Sequence, residues 1–196
     1  MRTLTRYILL AALAAAGSSC GDVVRDGRSP VFLVIDLLGG TNSSGEDSSF
    51  AQSDVLTDEG SIFNDVGTVT LRIVPKDIGS TGNVAPSTNN EVTINRYRVV
   101  YRRADGRNVQ GRDVPYSFDG AVTGTVPATG TLALGFVLVR HVAKREPPLA
   151  QLSTSTVVLT TIADVTFYGR DRVGNDINVT GSIQVDFANF ADSDDN

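Results

Sequence analysis

Histidine is the side chain that proteins use most often for acid–base chemistry near neutral pH, and this sequence has one, His141. A general base also needs a nucleophile to act on, and beyond residue 21 neither a Gly-x-Ser-x-Gly motif nor a similar nucleophile motif accompanies His141. The histidine directly follows an alternating apolar stretch, residues 131–140. We therefore predict a surface or capping histidine, no catalytic residue, and a protein that is not an enzyme.

A run of arginines is the second chemical feature. Its members are Arg96, Arg98, Arg102, Arg103, Arg107 and Arg112. Asp105 is the one acid within residues 96–112, so six arginines and one aspartate give a local charge of +5. On a strand, Tyr97 and Tyr101 would occupy the face opposite the arginines.

This arginine run has two interpretations. Arginine offers carboxylate and phosphate groups a planar fork, so the run could bind a polyanion or an acidic partner. Alternatively, it is a solvated face whose arginines pair with acids on neighbouring strands and discourage edge-to-edge aggregation. The net charge of −5 makes intramolecular pairing easy and favours the second interpretation.

Oxygen-bearing side chains cluster at Asp171, Asn175 and Asp176, a spacing that could contribute ligands to Ca²⁺. No Asp-x-Asp-x-Asp-Gly series is present and too few ligands are local, so turn capping explains these residues more simply. A single Cys excludes a disulfide framework and a Cys-based zinc site. We predict no metal and no cofactor.

Composition excludes some functions and leaves others open. A pI near 4.8 argues against a nucleic-acid-binding protein. Glycoside hydrolysis needs two positioned carboxylates, but among 22 Asp and Glu residues some pair will always look suitable. The count therefore neither supports nor removes a hydrolase.

The N-terminus has the organisation of a secretory signal peptide. Arg2 and Arg6 precede an apolar run at residues 7–16, and small residues follow it. Ten apolar residues are fewer than the roughly 20 that a membrane-spanning helix needs. We predict a signal peptide at residues 1–19, whose removal takes two arginines and changes the net charge from −5 to −7.

Cys20 directly follows those small residues, and this arrangement resembles the lipobox of bacterial lipoproteins, although Gly17 stands where that family usually has Leu. The resemblance implies cleavage before Cys20, diacylation of its thiol, and a short tether over residues 20–29. The alternative is ordinary cleavage after Ala16, which would leave Cys20 as a free thiol. An unpaired thiol in an exported protein is prone to oxidation, and this favours lipidation.

From residue 31 onward the sequence has the period-two pattern of strands. We predict strands at residues 31–38 (buried on both faces), 66–74, 92–103, 121–126, 131–140, 157–168 and 178–187. Polar loops are predicted at 41–54 and 77–90, one helical turn at 141–146, and an acidic tail at 191–196. About seven strands over residues 30–190 indicate a single all-β domain, an antiparallel sandwich or barrel.

The last predicted hairpin contains Asp171, Gly174 and Asn175 in an Asp-x-x-Gly-Asn turn. This turn resembles the end of bacterial immunoglobulin-like domains, where the penultimate strand runs into such a turn and a final strand follows. The resemblance implies an immunoglobulin-like β-sandwich and the roles of that group, which include spacers, adhesion modules and binding platforms.

Together these features predict an exported, lipid-anchored, non-enzymatic module of the bacterial cell envelope that binds a partner or has a structural role. The expected partners are a membrane, through the N-terminal lipid, and a protein or polyanionic envelope component, with no nucleic acid. A cell-envelope polymer hydrolase that uses Asp and Glu carboxylates is one alternative. A Ca²⁺-stabilised adhesion module is another.

Overall fold

Alternating β-branched and polar residues form long strands here because each strand buries one face and exposes the other. The computed structural model describes residues 27–42, 44–57, 60–77 and 86–190. They form nine strands: β1 (Val31–Thr41), β2 (Asp47–Ser48), β3 (Phe50–Asp54), β4 (Asp65–Pro75), β5 (Val92–Arg102), β6 (Phe118–Val126), β7 (Leu132–Val139), β8 (Leu159–Asp171) and β9 (Asp176–Ala188). Three 3₁₀ helices, Thr88–Asn90, His141–Arg145 and Leu149–Thr154, complete the described part.

The strands form two sheets that pack as a sandwich. One has four strands in the order β2-β1-β4-β7, and the other has five in the order β3-β9-β8-β5-β6. All pairs within the sheets are antiparallel except β3 with β9, which is parallel. The predicted all-β sandwich is confirmed, but with nine strands in the described residues instead of about seven, and with one mixed sheet.

The prediction of a long loop at residues 41–54 is wrong in part. β2 and β3 lie within this range, and Ala51 and Ser53 of β3 are buried. β3 pairs with residues 184–188, at the far end of the chain. A five-residue, mostly polar strand becomes stable because its partner strand supplies the hydrogen bonds and its buried positions carry small side chains.

β5 has the two faces that its sequence predicts. Tyr97, Val99 and Tyr101 are buried, whereas the arginines that alternate with them face solvent. The Tyr101 hydroxyl donates to the backbone oxygen of Leu138 at 2.6 Å, and the Val137 N–H donates to the Tyr97 hydroxyl at 3.1 Å. Both bonds join β5 to β7 and therefore hold the two sheets together.

β1 differs from the prediction of a strand buried on both faces. Phe32 is 54% exposed and Leu37 is 57% exposed. A bulge at Asp36 shifts the register between Ile35 and Leu37, and Arg72 Nε donates to Asp36 at 2.6 Å. The apolar run therefore supplies an exposed outer face as well as core residues.

The outer faces of the two sheets differ in charge. Register and burial place the following strand residues on the outer face of the four-stranded sheet: Phe32, Val34, Leu37, Val66, Thr68, Thr70, Arg72, Val74, Ala133, Gly135 and Val137. Of these, Arg72 alone is charged, and it pairs with Asp36. The outer face of the five-stranded sheet instead carries rows of arginine and aspartate.

The predicted helical turn at 141–146 is confirmed as the 3₁₀ helix His141–Arg145. No helix in the described ranges is long and apolar enough to cross a membrane. The predicted signal peptide (1–19), the lipidation residue Cys20, most of the predicted tether and the acidic tail (191–196) lie outside the described residues.

Candidate binding site

A cavity opens at the side of the sandwich where β6 and β7, the edge strands of the two sheets, come together. Its volume is about 240 Å³. The lining residues are Asn64, Tyr97, Phe118, Asp119, Gly120, Val137, Arg140, His141 and Val142. The side-chain chemistry is mixed, with apolar walls and several polar groups, as is usual for small-ligand sites.

His141 enters this cavity in a fixed orientation. Asn64 Oδ1 accepts a hydrogen bond from the His141 backbone N–H at 2.7 Å and lies 3.0 Å from its Nδ1. The backbone N–H can only donate, so the Asn64 atom must be the carbonyl oxygen, which can only accept. Nδ1 is therefore the nitrogen that donates in this contact, which leaves Nε2 directed away from Asn64.

Arg140 is the second polar group on the wall. Its guanidinium carbon lies 4.5 Å from the centroid of the Phe118 ring, in a cation–π contact. Its Nε is buried and makes no hydrogen bond. Within the described part of the chain no carboxylate pairs with this guanidinium, in contrast to the arginines of β5 on the neighbouring sheet face.

Asp119 is the carboxylate on the cavity wall, and arginines hold both of its oxygens. Arg96 donates to Oδ1 at 3.0 Å and Arg98 donates to Oδ2 at 2.9 Å. With Arg140, the immediate surroundings contain three guanidinium groups and one carboxylate. The cavity therefore has a positive surplus even though the whole chain is acidic.

The floor of the cavity is built by Tyr97 and Gly120. A Cβ atom at position 120 would overlap the Tyr97 ring, so glycine is needed for this close approach. The Tyr97 ring packs edge-on against Phe136 and Phe118, with centroids 5.3 and 6.3 Å away. Burial raises the pKa of Tyr97 and outweighs the lowering effects of the Val137 hydrogen bond and Arg140.

Each arginine of the predicted patch contacts a carboxylate. Arg96 and Arg98 share Asp119, Arg102 pairs with Asp164, Arg103 and Arg107 share Asp105, and Arg112 pairs with Asp113. Six arginines thus face four carboxylates, so the patch keeps a local surplus of two positive charges. Arg96, Arg98 and Arg102 pair with acids on neighbouring strands, as the second interpretation expects, whereas Arg103, Arg107 and Arg112 pair with acids in their own loop.

The electrostatic consequences of these pairs are visible at Asp105 and Asp164. Hydrogen bonds from Arg103 and from the Arg107 backbone hold the pKa of Asp105 well below its usual range. Burial raises the pKa of Asp164, but hydrogen bonds from Arg102 and Ser182 outweigh it, so the net pKa is lowered. These acids are ionised at neutral pH and keep the arginines occupied.

The proposed calcium ligands serve the turn between β8 and β9. Asp171 accepts hydrogen bonds from the backbone N–H groups of Val173 and Asn175 and from the Asn175 side-chain nitrogen, at 2.8–3.1 Å. Asp176 pairs with Arg170 at 2.7 Å. Asn175 presents an amide nitrogen, not an oxygen, to Asp171. No metal-ligating group of three or more His, Cys, Asp or Glu occurs in the described ranges.

Sequence reasoning identified His141 but not Arg140, its neighbour in the cavity. A single arginine at the end of a strand carries no signal of its own, because its importance depends on Phe118 lying across the sandwich from it.

Comparison with known proteins adds little. No protein-family model matches this sequence, and no curated protein matches it. Among solved structures, the chain is similar to the X-ray structure of Northeast Structural Genomics Consortium target SoR45, with 10% sequence identity and a TM-score of 0.36. That alignment covers 80% of this chain and 86% of the other, and at this TM-score it carries no argument.

Proposed function

We propose that this protein is an exported, lipid-anchored, non-enzymatic module of the bacterial cell envelope that binds a ligand in the cavity between β6 and β7. One observation carries the binding role: the cavity holds the guanidinium of Arg140, which has no anionic partner among the described residues, against apolar walls. An unpaired cation in a concave apolar site is suited to receiving a ligand that completes its hydrogen bonds.

The geometry of the cavities supports a hydrolase less than it supports a binding protein. Three cavities are described, and each contains one aspartate that an arginine already holds: Asp119 with Arg96 and Arg98, Asp36 with Arg72, and Asp176 with Arg170. None of these three cavities brings two carboxylates together. Glycoside hydrolysis by a pair of carboxylates needs both of them at one site.

The location at the envelope rests on residues 1–20. Their basic start, short apolar run and terminal Cys resemble a lipoprotein signal. The Asp-x-x-Gly-Asn turn, now located between two paired strands, is the feature shared with bacterial immunoglobulin-like domains. Domains of that group serve as binding platforms and spacers, which agrees with a module held close to a membrane.

A sedimentation assay tests the binding role. The purified full-length protein is mixed with peptidoglycan sacculi, and both the pelleted protein and the soluble glycan fragments are measured over time. We expect saturable co-sedimentation that Arg140→Gln weakens and Arg145→Gln leaves unchanged, with no release of fragments. Soluble fragments that increase with protein concentration would identify a hydrolase and overturn the proposal, as would the absence of saturable binding.

The anchor is tested by detergent phase partitioning of protein expressed with its complete N-terminus in a bacterium. The wild-type protein should enter the detergent phase and carry the mass of attached acyl chains. Cys20→Ala should remain in the aqueous phase. A Cys20→Ala protein that still partitions into detergent would remove the anchor from the proposal.

A further inference from the structure

We propose that the cavity between β6 and β7 binds a carboxylate group, that Arg140 is the residue that receives it, and that the ligand carries a small apolar group next to this carboxylate. The inference rests on the proposed binding function and specifies its ligand. The residues that support it all lie around the cavity, and none belongs to the N-terminus.

The charge of the cavity region favours an anionic ligand. Arg96, Arg98 and Arg140 bring three positive charges to the cavity region, and Asp119 supplies one negative charge. Because Arg96 and Arg98 already bind the two oxygens of Asp119, Arg140 is the guanidinium that remains for a ligand. An anion completes this arrangement, whereas a cation would approach a net positive wall.

The guanidinium of Arg140 is packed against an aromatic ring. The Phe118 ring packs against Arg140, with its centroid 4.5 Å from the guanidinium carbon, and this contact restricts the guanidinium before any ligand arrives. The planar guanidinium suits a planar carboxylate, which can accept two parallel hydrogen bonds. A side chain that is already restricted in the folded protein loses less freedom on binding, and this improves affinity.

The size and the apolar walls of the cavity indicate what the rest of the ligand is. Phe118, Val137 and Val142 give the cavity apolar walls, and the volume of about 240 Å³ lies below the roughly 300–1,000 Å³ of sites for drug-sized molecules. A group the size of one amino-acid side chain matches this space. Such a ligand is either a small free acid or the terminal residue of a longer chain.

His141 adds one hydrogen-bonding requirement. Since Asn64 Oδ1 accepts from Nδ1, Nε2 is the ring nitrogen that can accept a hydrogen bond from a ligand in the neutral form of the ring. A ligand that places an N–H next to its carboxylate can use both Arg140 and His141. N-acylated amino acids and peptide C-termini have this pair of groups, and both belong to the proposed ligand class.

The experiment uses N-acetyl-leucine as the probe and N-acetyl-leucinamide as its uncharged counterpart. Each is titrated into the ¹⁵N-labelled full chain, and amide chemical shifts are followed by NMR. We expect saturable shifts with the acid at Gly120, Val137 and Val142, and an affinity at least about tenfold lower for the amide, the loss typical of one charge-assisted contact. Shifts that are equal for acid and amide would overturn the proposal.

Two variants that each remove one arginine charge distinguish binding at Arg140 from a general effect of the net charge. Arg140→Gln should weaken N-acetyl-leucine binding about tenfold or more, whereas Arg145→Gln, exposed on the same 3₁₀ helix and outside the cavity lining, should change it less than about twofold. Circular dichroism and thermal melts show whether Arg140→Gln is folded. If it is not, Arg140→Lys provides the test, because lysine keeps the charge but loses the fork.

Further titrations show whether the carboxylate belongs to a small acid or to a peptide C-terminus. A pentapeptide ending in leucine that binds more tightly than N-acetyl-leucine indicates a peptide C-terminus, and equal affinities indicate a small acid. Inorganic phosphate should bind more weakly than either, and tighter phosphate binding would contradict the carboxylate assignment. New NMR signals from a cleaved probe would instead refute the non-enzymatic function, so the two failures are distinguishable.

Discussion

Lys144 Nζ lies 2.8 Å from Asp65 Oδ1, and the lysine side chain is 2% exposed, so this pair is a buried ion pair between the 3₁₀ helix His141–Arg145 and the start of β4. Asn64, which orients His141, precedes Asp65 in the chain. This ion pair therefore joins the two segments that carry Asn64 and His141 into the cavity wall. Burial raises the pKa of Asp65, although Lys144 and Ser53 act in the opposite direction.

Removing one partner of this pair should destabilise the protein strongly. Lys144→Met leaves the buried Asp65 without its cation, and we expect a loss of about 3–5 kcal/mol in the free energy of unfolding. The double variant Lys144→Met/Asp65→Asn removes both charges and should recover part of this loss. Urea unfolding of the three proteins provides the measurement, and a Lys144→Met loss below about 1 kcal/mol would contradict the assignment.

The pH dependence of the single variant follows from the sign of the Asp65 shift. A folded-state pKa above the unfolded value gives a contribution to stability that is complete below the unfolded pKa of about 4 and is lost as pH rises through the folded pKa. Without Lys144 the pKa of Asp65 should rise further. The difference in stability between wild type and Lys144→Met should therefore grow from pH about 4 to 7, and the double variant should not show this growth.

Two strand glycines offer a matched test of the cavity floor. Gly120→Ala forces a methyl group into the Tyr97 ring, which is buried among Phe118, Phe136 and Phe167, and should cost about 1–3 kcal/mol. At Gly135 the nearest atom to an added Cβ is Val66 Cγ1 at 3.8 Å, an ordinary contact. Gly135→Ala should change stability by less than about 0.5 kcal/mol in thermal melts. Equal effects would mean that Tyr97 can move aside.

Local alternation explains which features the sequence could predict. In β5 the buried Tyr97, Val99 and Tyr101 follow a period of two, as the sequence predicts, although a bulge at Asn95 interrupts the alternation nearer the start of the strand. β1 lacks such alternation, so its sequence could not distinguish a strand buried on both faces from one with an exposed apolar face. That distinction depends on what covers Phe32 and Leu37, which is a property of the assembled sheets.

Long-range relationships explain what could not be predicted. β3 is a mostly polar five-residue segment whose pairing partner, residues 184–188, is distant in the chain, and Phe50 and Ala51 are its only apolar residues. The importance of Arg140 likewise depends on Phe118 and on the fact that no carboxylate of the described residues pairs with its guanidinium. Neither condition can be deduced from the residues adjacent to Arg140.

Polyanion binding distinguishes the two interpretations of the arginine run. Because Asp105 and Asp164 hold Arg102, Arg103 and Arg107, we expect wild-type protein to elute from a sulfated-polysaccharide resin at low salt. Asp105→Asn/Asp164→Asn should elute at higher salt, since its arginines are released. The control Glu46→Gln/Asp47→Asn changes net charge equally on exposed residues elsewhere and should elute earlier than that variant. Strong retention of wild type, lost in Arg102→Gln, would favour a genuine polyanion site.

Asp171 should stabilise the turn between β8 and β9 as an ionised hydrogen-bond acceptor. Burial acts to raise its pKa, but hydrogen bonds from Asn175 and Val173 dominate and lower it. Its contribution is therefore present above the unfolded pKa of about 4 and is lost as pH falls through the folded value. Asp171→Ala should cost about 1–3 kcal/mol at pH 7, and Asp176→Asn, which alters an exposed pair, less than about 1 kcal/mol.

Calcium binding at the same turn is tested separately. The Asp171 oxygens accept three hydrogen bonds and Asp176 faces Arg170, so a cation would have to displace existing partners before it could bind. We expect the thermal midpoint to be the same in millimolar CaCl₂ and in EDTA, because a ligand that binds only the folded state would raise it. A higher midpoint in CaCl₂ that disappears in Asp171→Asn would establish a calcium-stabilised module and contradict the turn-capping role.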